Sequence, residues 1–544
     1  EGYEDLVISD PNGDGPGNAR SSCGEHHVFL GYDIVPPTCS ITNVAEGSVL
    51  AGTVGVEVSA SDYHGIGRVE FWIDGSLEYA DTAAPYGWDW DTRETVDGAS
   101  PLLEVRAYDT NGNSASDSRR VKINNTVPPL SKVWYLAEGT TAWGFEEWVL
   151  VQNPNPDPTQ IMVTFMKPDG ATQAEVFPLA GNSRFTILVN SIVNQSDVST
   201  KVEALAPVIC ERAMYHTPPG SKQRLLGHDA IGVTEPSPVW YLAEGTTAWG
   251  FEEWVLVQNP NPDAVNVTVT FMKPGGATQA HAFSIPGQAR YTVNVNELVE
   301  KSDVSTRVEA SAPVICERAM YRYDKDLGHA TIGTPSSSRE WYLAEGTTAW
   351  GFEEWVLIQN PNLQQASVGV EFMLPSGNVV PYGVLVPGQS RYTIHVNAVP
   401  GCKDTDLSTY IRSDQPVICE RAMYWQGATS QGGHDTIGTP LPSTHWYLAE
   451  GTTAWGFEEY VLVQNPNDTP AVVSFTFMKP DGSTVFLSLP VGAKSRFSLK
   501  ANDVVGESDI STSVVSDKPI ICERAMYLDR RNVGHGTIGV RGER

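Results

Sequence analysis

With 544 residues, 41% of them hydrophobic, the chain is long enough to bury several separate cores, and its 65 Asp and Glu against 36 Lys and Arg give a formal net charge of −29. Such an acidic balance argues against nucleic acid and anionic membrane as partners. No apolar run approaches the roughly 20 residues needed to span a bilayer, so no membrane insertion is expected.

Residues 1–36 hold two short strand-like runs, 5–9 and 27–32, around a polar Gly-rich loop, too little to build a core alone. Asp10, Asn12 and Asp14, followed by Gly15, spell D-x-N-x-D-G, the first half of a calcium-binding loop in which alternate side-chain oxygens converge on a hard cation. Ser21 stands where the closing acid belongs and no helical pattern flanks the loop, which excludes a true EF-hand. A looser calcium site and a plain Asx-rich turn remain as the two readings. Calcium is the one cofactor the sequence suggests. Cys23 and Cys39 bracket the end of this segment, and a disulfide between them would close a short loop. The segment is also expected to mediate self-association, by adding a strand to the sheet edge of another copy.

Residues 37–127 read as about seven short strands separated by DG and NG turns, the pattern of a β-sandwich. At VEFWIDG (69–75), TAAPYGWDWDT (82–92) and VRAYDTNGN (105–113) this part resembles the bacterial Ig-like domains of secreted proteins. The resemblance implies a spacer or binding module. Trp72, Trp88 and Trp90 are expected in its core and turns.

Everything after residue 130 is one unit written four times. WYLAEGTTAWGFEEWVLVQNPN starts at Trp134 and returns at Trp240, Trp341 and Trp446, spaced 106, 101 and 105 residues apart. That is the size of a small domain and exceeds a solenoid repeat. Strand-like runs with turns at NPNPD, KPDG and AGN make each unit a β-sandwich, with expected boundaries at 131–236, 237–338, 339–443 and 444–544. The motif is similar to the WYLAEG-type repeat domains of uncharacterised function in secreted actinobacterial proteins, which implies an extracellular or cell-surface location and supplies no known activity to carry over. The chain begins at Glu1 without a leader, as expected after removal of a signal peptide or for a fragment of something longer. Short Pro-bearing linkers between the units predict restricted angles, hence an elongated array of tandem Ig-like sandwiches, in fold class all-β.

The same charges recur in every unit, as Glu138, Glu146, Glu147, Arg184, Glu211 and Arg212 in the first. Adjacent Glu211 and Arg212 point to opposite faces of one strand, so at least one lies beside core residues. A buried charge must be paired, and the expectation is an intradomain ion pair to a glutamate of the opening motif; Glu138 and Glu147 are the candidates. No nucleophile accompanies them, which argues against catalysis. Cys210, Cys316, Cys419 and Cys522 fall in equivalent apolar VICERAMY or IICERAMY runs and read as buried free thiols. His228, His329, His434 and His535 occur once per unit, and one histidine cannot make a zinc site, which needs three or four ligands. AWGF places Trp143 and Phe145, Trp249 and Phe251, Trp350 and Phe352, and Trp455 and Phe457 in a loop, where they plug the sandwich end, touch the next unit or bind a carbohydrate.

Three functions fit: a non-catalytic extracellular structural protein, either surface stalk or head-to-tail filament subunit; the accessory C-terminal region of a secreted hydrolase; and a multivalent carbohydrate-binding adhesin with glycan or cell-surface partners.

Overall fold

The computed structural model describes residues 6–10, 25–29, 34–50, 53–92, 95, 99–123, 131–218, 220–221, 223–322, 325 and 327–542. No α-helix occurs among them, and the chain divides into two compact units, residues 1–94 with 99–123 and residues 95–98 with 124–544. Asn12, Asp14 and Cys23 lie outside the described residues, as do the side chains of the strands Leu6–Asp10 and Glu25–Phe29, so the calcium and disulfide readings fall outside what the structure describes. Cys39 is half-buried and makes no disulfide to any described residue.

In the first unit, a four-stranded sheet (Ser114–Arg120, Leu102–Asp109, Ile66–Ile73, Ser76–Asp81) and a three-stranded one (Thr38–Ile41, Thr53–Ser61, Tyr86–Asp91) enclose Val56, Val69, Phe71, Trp90 and Val105. Strict alternation of buried and half-exposed residues along Leu102–Asp109 is what period-2 geometry requires of a sheet with one wet face. Trp90 is in the core and Trp88 packs against it half-buried, while Trp72, also half-buried, lies under the Arg106 guanidinium at 4.3 Å.

Each repeat of the second unit is organised by one long strand, Ser199–His216 in the first repeat. Its N-terminal half pairs with Ser131–Leu136 and Thr159–Met166, and its C-terminal half with Phe145–Asn153 and Leu226–Ile231. Thr172–Leu179 and Ser183–Leu188 complete two four-stranded sheets, and the long strand passes from one to the other. Trp134 is fully buried, and its indole N–H donates to the carbonyl of Val208 at 2.8 Å, near the crossover. A buried indole needs such a partner. Asn153 and Asn155 fasten the neighbouring loops, donating to the carbonyls of Ala180 and Pro207 at 2.9 and 2.8 Å.

The four sandwiches do not extend as an elongated array or rod. Each packs on the next, and the fourth packs on the first: the last strands of the sheets, Leu226–Ile231, Leu327–Ile332, Gln431–Ile437 and Val533–Ile538, touch in a closed cycle. Ala449 N–H reaches back to Glu211 at 2.6 Å, the same bond that Ala137 N–H makes to Glu317, Ala243 N–H to Glu420 and Ala344 N–H to Glu523. One heterologous contact, repeated with a rotation that closes, makes a ring rather than a filament. The Pro-bearing linkers restrict the angle between neighbours, but the angle is set by the buried charges described next.

Candidate binding sites between the repeats

Residues 208–216 of the long strand are all buried, although Glu211 and Arg212 point to opposite faces. Both faces are therefore covered. Arg212 donates to Glu138 of its own repeat at 2.7 Å and to Glu317 of the next at 2.5 Å. Glu211 receives Arg524 from the fourth repeat at 2.7 Å. Arg318 with Glu420, and Arg421 with Glu523, repeat the arrangement at 2.6 Å. Sequence reasoning anticipated a bridge within one domain; half of each cluster instead comes from the neighbour. Glu146 forms an exposed-side pair with Arg224 at 2.6 Å.

Arg184 stands opposite Gln152 of its own repeat's opening motif but, among the described residues, forms no ion pair with that motif's glutamates. Its guanidinium donates to the carbonyls of Gly451 and Ile510 in the fourth repeat. Arg290, Arg391 and Arg496 bind the carbonyls of Gly139, Gly245 and Gly346 in the same way. Gln152 likewise reaches the carbonyl of Thr512, at 3.3 Å.

Glu147 takes a different part. Its carboxyl is fully buried, and neither oxygen has a hydrogen-bond partner among the described residues; the same holds for Glu253, Glu354 and Glu459. Loss of hydration holds all four carboxyls up at about 8, so they are protonated at neutral pH. The carboxyl lies so close to Gly139 that a Cβ there would sit 2.5 Å from Glu147 Oε1, which explains the glycine of the WYLAEG motif. The thiols of Cys210, Cys316, Cys419 and Cys522 are buried and free, and burial pushes each up.

The AWGF aromatics divide. Phe145 is buried at the interface against Leu256 and Tyr321 of the second repeat, and Phe352 and Phe457 meet their next repeats likewise. Phe251 meets Tyr424 of the third repeat at a tilt, the ring centroids 5.8 Å apart. The phenylalanines thus seal the joint between repeats and leave the sandwich end to other residues. Trp143 does the reverse, being 71% exposed, with 73% for Trp249, 74% for Trp350 and 79% for Trp455. All four hold φ between 58° and 59°. That left-handed conformation costs a residue with a Cβ roughly 1–2 kcal/mol, and such strain persists only where the surrounding structure over-determines it.

Trp143, Trp249 and Trp350 each stand at a cavity between two repeats. Between the first and second, about 310 Å³ is enclosed by Glu138, Trp143 and Asp197 on one side and Trp254, Arg290 and Thr292 on the other. Between the second and third the cavity is about 360 Å³, with Trp249 facing Trp355 and Arg391. Between the third and fourth it is about 290 Å³, with Trp350 facing Tyr460 and Arg496. Trp455, Trp148 and Arg184 are the corresponding residues where the ring closes. Sequence reasoning missed Trp254 and its equivalents as wall residues, although each lies in the recurring FEEWV or FEEYV run.

Residues 37–112 match the family model described as a bacterial Ig domain. No curated protein matches the chain. Among solved structures, a Thermotoga maritima protein designated 1070 is 18% identical over 19% of this chain and 93% of its own, with a TM-score of 0.18. The fibronectin(III)-like modules of Clostridium thermocellum CbhA are 27% identical over 16% of this chain and 96% of theirs, TM-score 0.14. A tetra-tandem repeat from the extending region of a large adhesion protein is 13% identical over 74% of this chain and 98% of its own, TM-score 0.14.

Proposed function

We propose that the chain is a non-catalytic extracellular binding protein whose ring presents four equivalent carbohydrate sites. The observation that carries this reading is the strained, exposed tryptophan at the mouth of each inter-repeat cavity. An aromatic face accepts the apolar C–H face of a pyranose, while the cavity's arginine, threonine and carboxylates match its hydroxyls. Cyclic closure places the four tryptophans equivalently about one axis and therefore on the same side of the ring. Such an array suits a surface that displays one sugar many times, where linked sites raise avidity by about 10²–10⁴ over a single site. The Ig-like unit serves as spacer. The stalk reading survives in that spacer; a filament would depend on residues 1–36, because the repeats' own complementary faces are consumed in the ring.

The test is binding of the purified chain to insoluble polysaccharides and a glycan array, beside a variant with Trp143, Trp249, Trp350 and Trp455 all changed to Ala. Retention by the parent and loss by the variant is expected. Equal binding by both, or none by the parent, would discard the proposal.

A further inference from the structure

The four interfaces are not chemically identical. After the histidine of G-H-x-x-I-G, the first and third repeats carry Asp229 and Asp435, whereas the second and fourth carry Ala330 and Gly536. The ring therefore alternates: two opposite interfaces gain a buried carboxylate and two do not. At the second-to-third interface, Glu244, Glu420 and Asp435 face Arg318 and Arg391, one negative charge in excess. At the first-to-second, Glu138 and Glu317 are balanced by Arg212 and Arg290. A surplus buried charge has to be neutralised.

Asp435, Glu244 and His329 bring one ligand atom each within 4.8 Å of one another, all buried, and Asp229, Glu450 and His535 do the same at the closing interface. The orientation of the histidine follows from its partners. Tyr424 donates its hydroxyl proton to Glu244 Oε1 at 2.9 Å, so the tyrosine oxygen must accept from His329 Nε2–H at 3.0 Å. In the neutral ring, Nδ1 then carries a lone pair, and it stands 3.7 Å from Glu244 Oε2. Among the described residues His329 Nδ1 and Asp435 Oδ1 take part in no hydrogen bond, and Glu244 Oε2 meets the Arg318 guanidinium at 2.9 Å. Arg318 donates to the other oxygen of Asp435. At the closing interface, His535 Nε2 lies 2.9 Å from the hydroxyl of Tyr215, and His535 Nδ1 lies 3.2 Å from Asp229 Oδ2 and 3.7 Å from Glu450 Oε2. In a tetrahedral zinc site with bonds of about 2.0–2.1 Å, ligand atoms stand about 3.4 Å apart.

We propose that two of the four interfaces each bind a divalent transition-metal ion, one through Glu244, His329 and Asp435, the other through Asp229, Glu450 and His535. Imidazole with two carboxylates suits zinc. The tyrosine on Nε2 supplies the outer hydrogen bond that orients a ligating histidine; Arg318 shares Asp435 and Glu244, and Arg524 donates to Asp229 Oδ2 and to Glu450 Oε2 at 2.9 Å, so each ion would share its carboxylates with a guanidinium. Each ion joins two repeats and is enclosed as the ring forms, so metal is acquired during folding. No single repeat could build the site.

The experiment measures metal content by inductively coupled plasma mass spectrometry on the full chain expressed with added Zn²⁺ and dialysed. The parent is compared with Asp229→Ala, Asp435→Ala and the double variant. Alanine already occupies the equivalent position 330, so these variants keep the ring, which thermal unfolding checks. Two zinc ions per parent chain, one per single variant and none in the double variant are expected. A parent that retains no zinc, its histidines neutralising the carboxylates as imidazolium, overturns the proposal, as does a double variant that still holds two.

Discussion

The Ig-like unit and the ring use charge in opposite ways. In the former, ion pairs link residues two apart on a wet face: Arg68 to Glu70 at 2.7 Å, with Arg68 44% exposed, and Arg106 to Glu104 at 2.7 Å. The core beneath is apolar apart from few groups such as Asp109, which binds its own turn. In the ring, Arg212 and Glu317 are both 0% exposed and join parts of the chain 105 residues apart. Surface pairs contribute little because water competes for both partners. Buried pairs are poor sources of net stability too, yet removing one partner strands the other. The lesson is that the ring's charges act as registry: only the cyclic arrangement satisfies them all.

That contrast can be broken most strongly by Arg212→Ala, which leaves Glu138 and Glu317 uncompensated and should cost about 3–5 kcal/mol in urea unfolding of the ring. A loss no larger than that from a surface arginine would refute the registry account.

A second difference concerns pH. Glu147 and its three equivalents hold their protons to about 8 in the fold, far above the unfolded carboxylate value of about 4.3. Between those values the folded chain binds more protons than the unfolded one, so stability from these groups is full below the unfolded pKa and is lost as pH rises through 8. The slope is at most about 1.4 kcal/mol per pH unit for each group. Glu147→Gln stays neutral throughout, and its stability curve between pH 5 and 9, followed by chemical denaturation, should be flatter than the parent's.

Trp143→Gly sharpens the comparison from the other side. Glycine accepts positive φ freely, so the variant should gain up to about 1 kcal/mol while its glycan binding falls; unchanged binding would remove that tryptophan from the site. Smallest of all, Arg68→Ala should shift the Ig-like unit by less than about 1 kcal/mol, discounted for solvent screening.

The all-β fold and the fourfold repetition are legible in alternation and turn residues, and so is the need of Arg212 for a carboxylate. The closed ring was hidden because identical units cannot say which neighbour each face meets. One signal did exist: Glu211 and Arg212 on opposite faces of a strand without any polar stretch require cover on both sides. Reading each repeat as self-sufficient also hid the site at His329, whose third ligand, Asp435, lies 106 residues away in another repeat. Trp143 and Phe145, two residues apart, share the same three alternative readings in the sequence but occupy two environments.

Closure between the first and fourth repeats also has a cost in time. Glu211 must wait for Arg524, 313 residues further on, which at ribosomal speeds of about 5–20 residues per second means roughly 15–60 s. Throughout that interval the first repeat carries an uncapped carboxylate beside the apolar Leu150, Ala213 and Tyr215, the group that later receives Phe457 and Met526. The growing chain is a three-quarter circle with a sticky edge, and its safest route is to finish quickly or in the company of a chaperone.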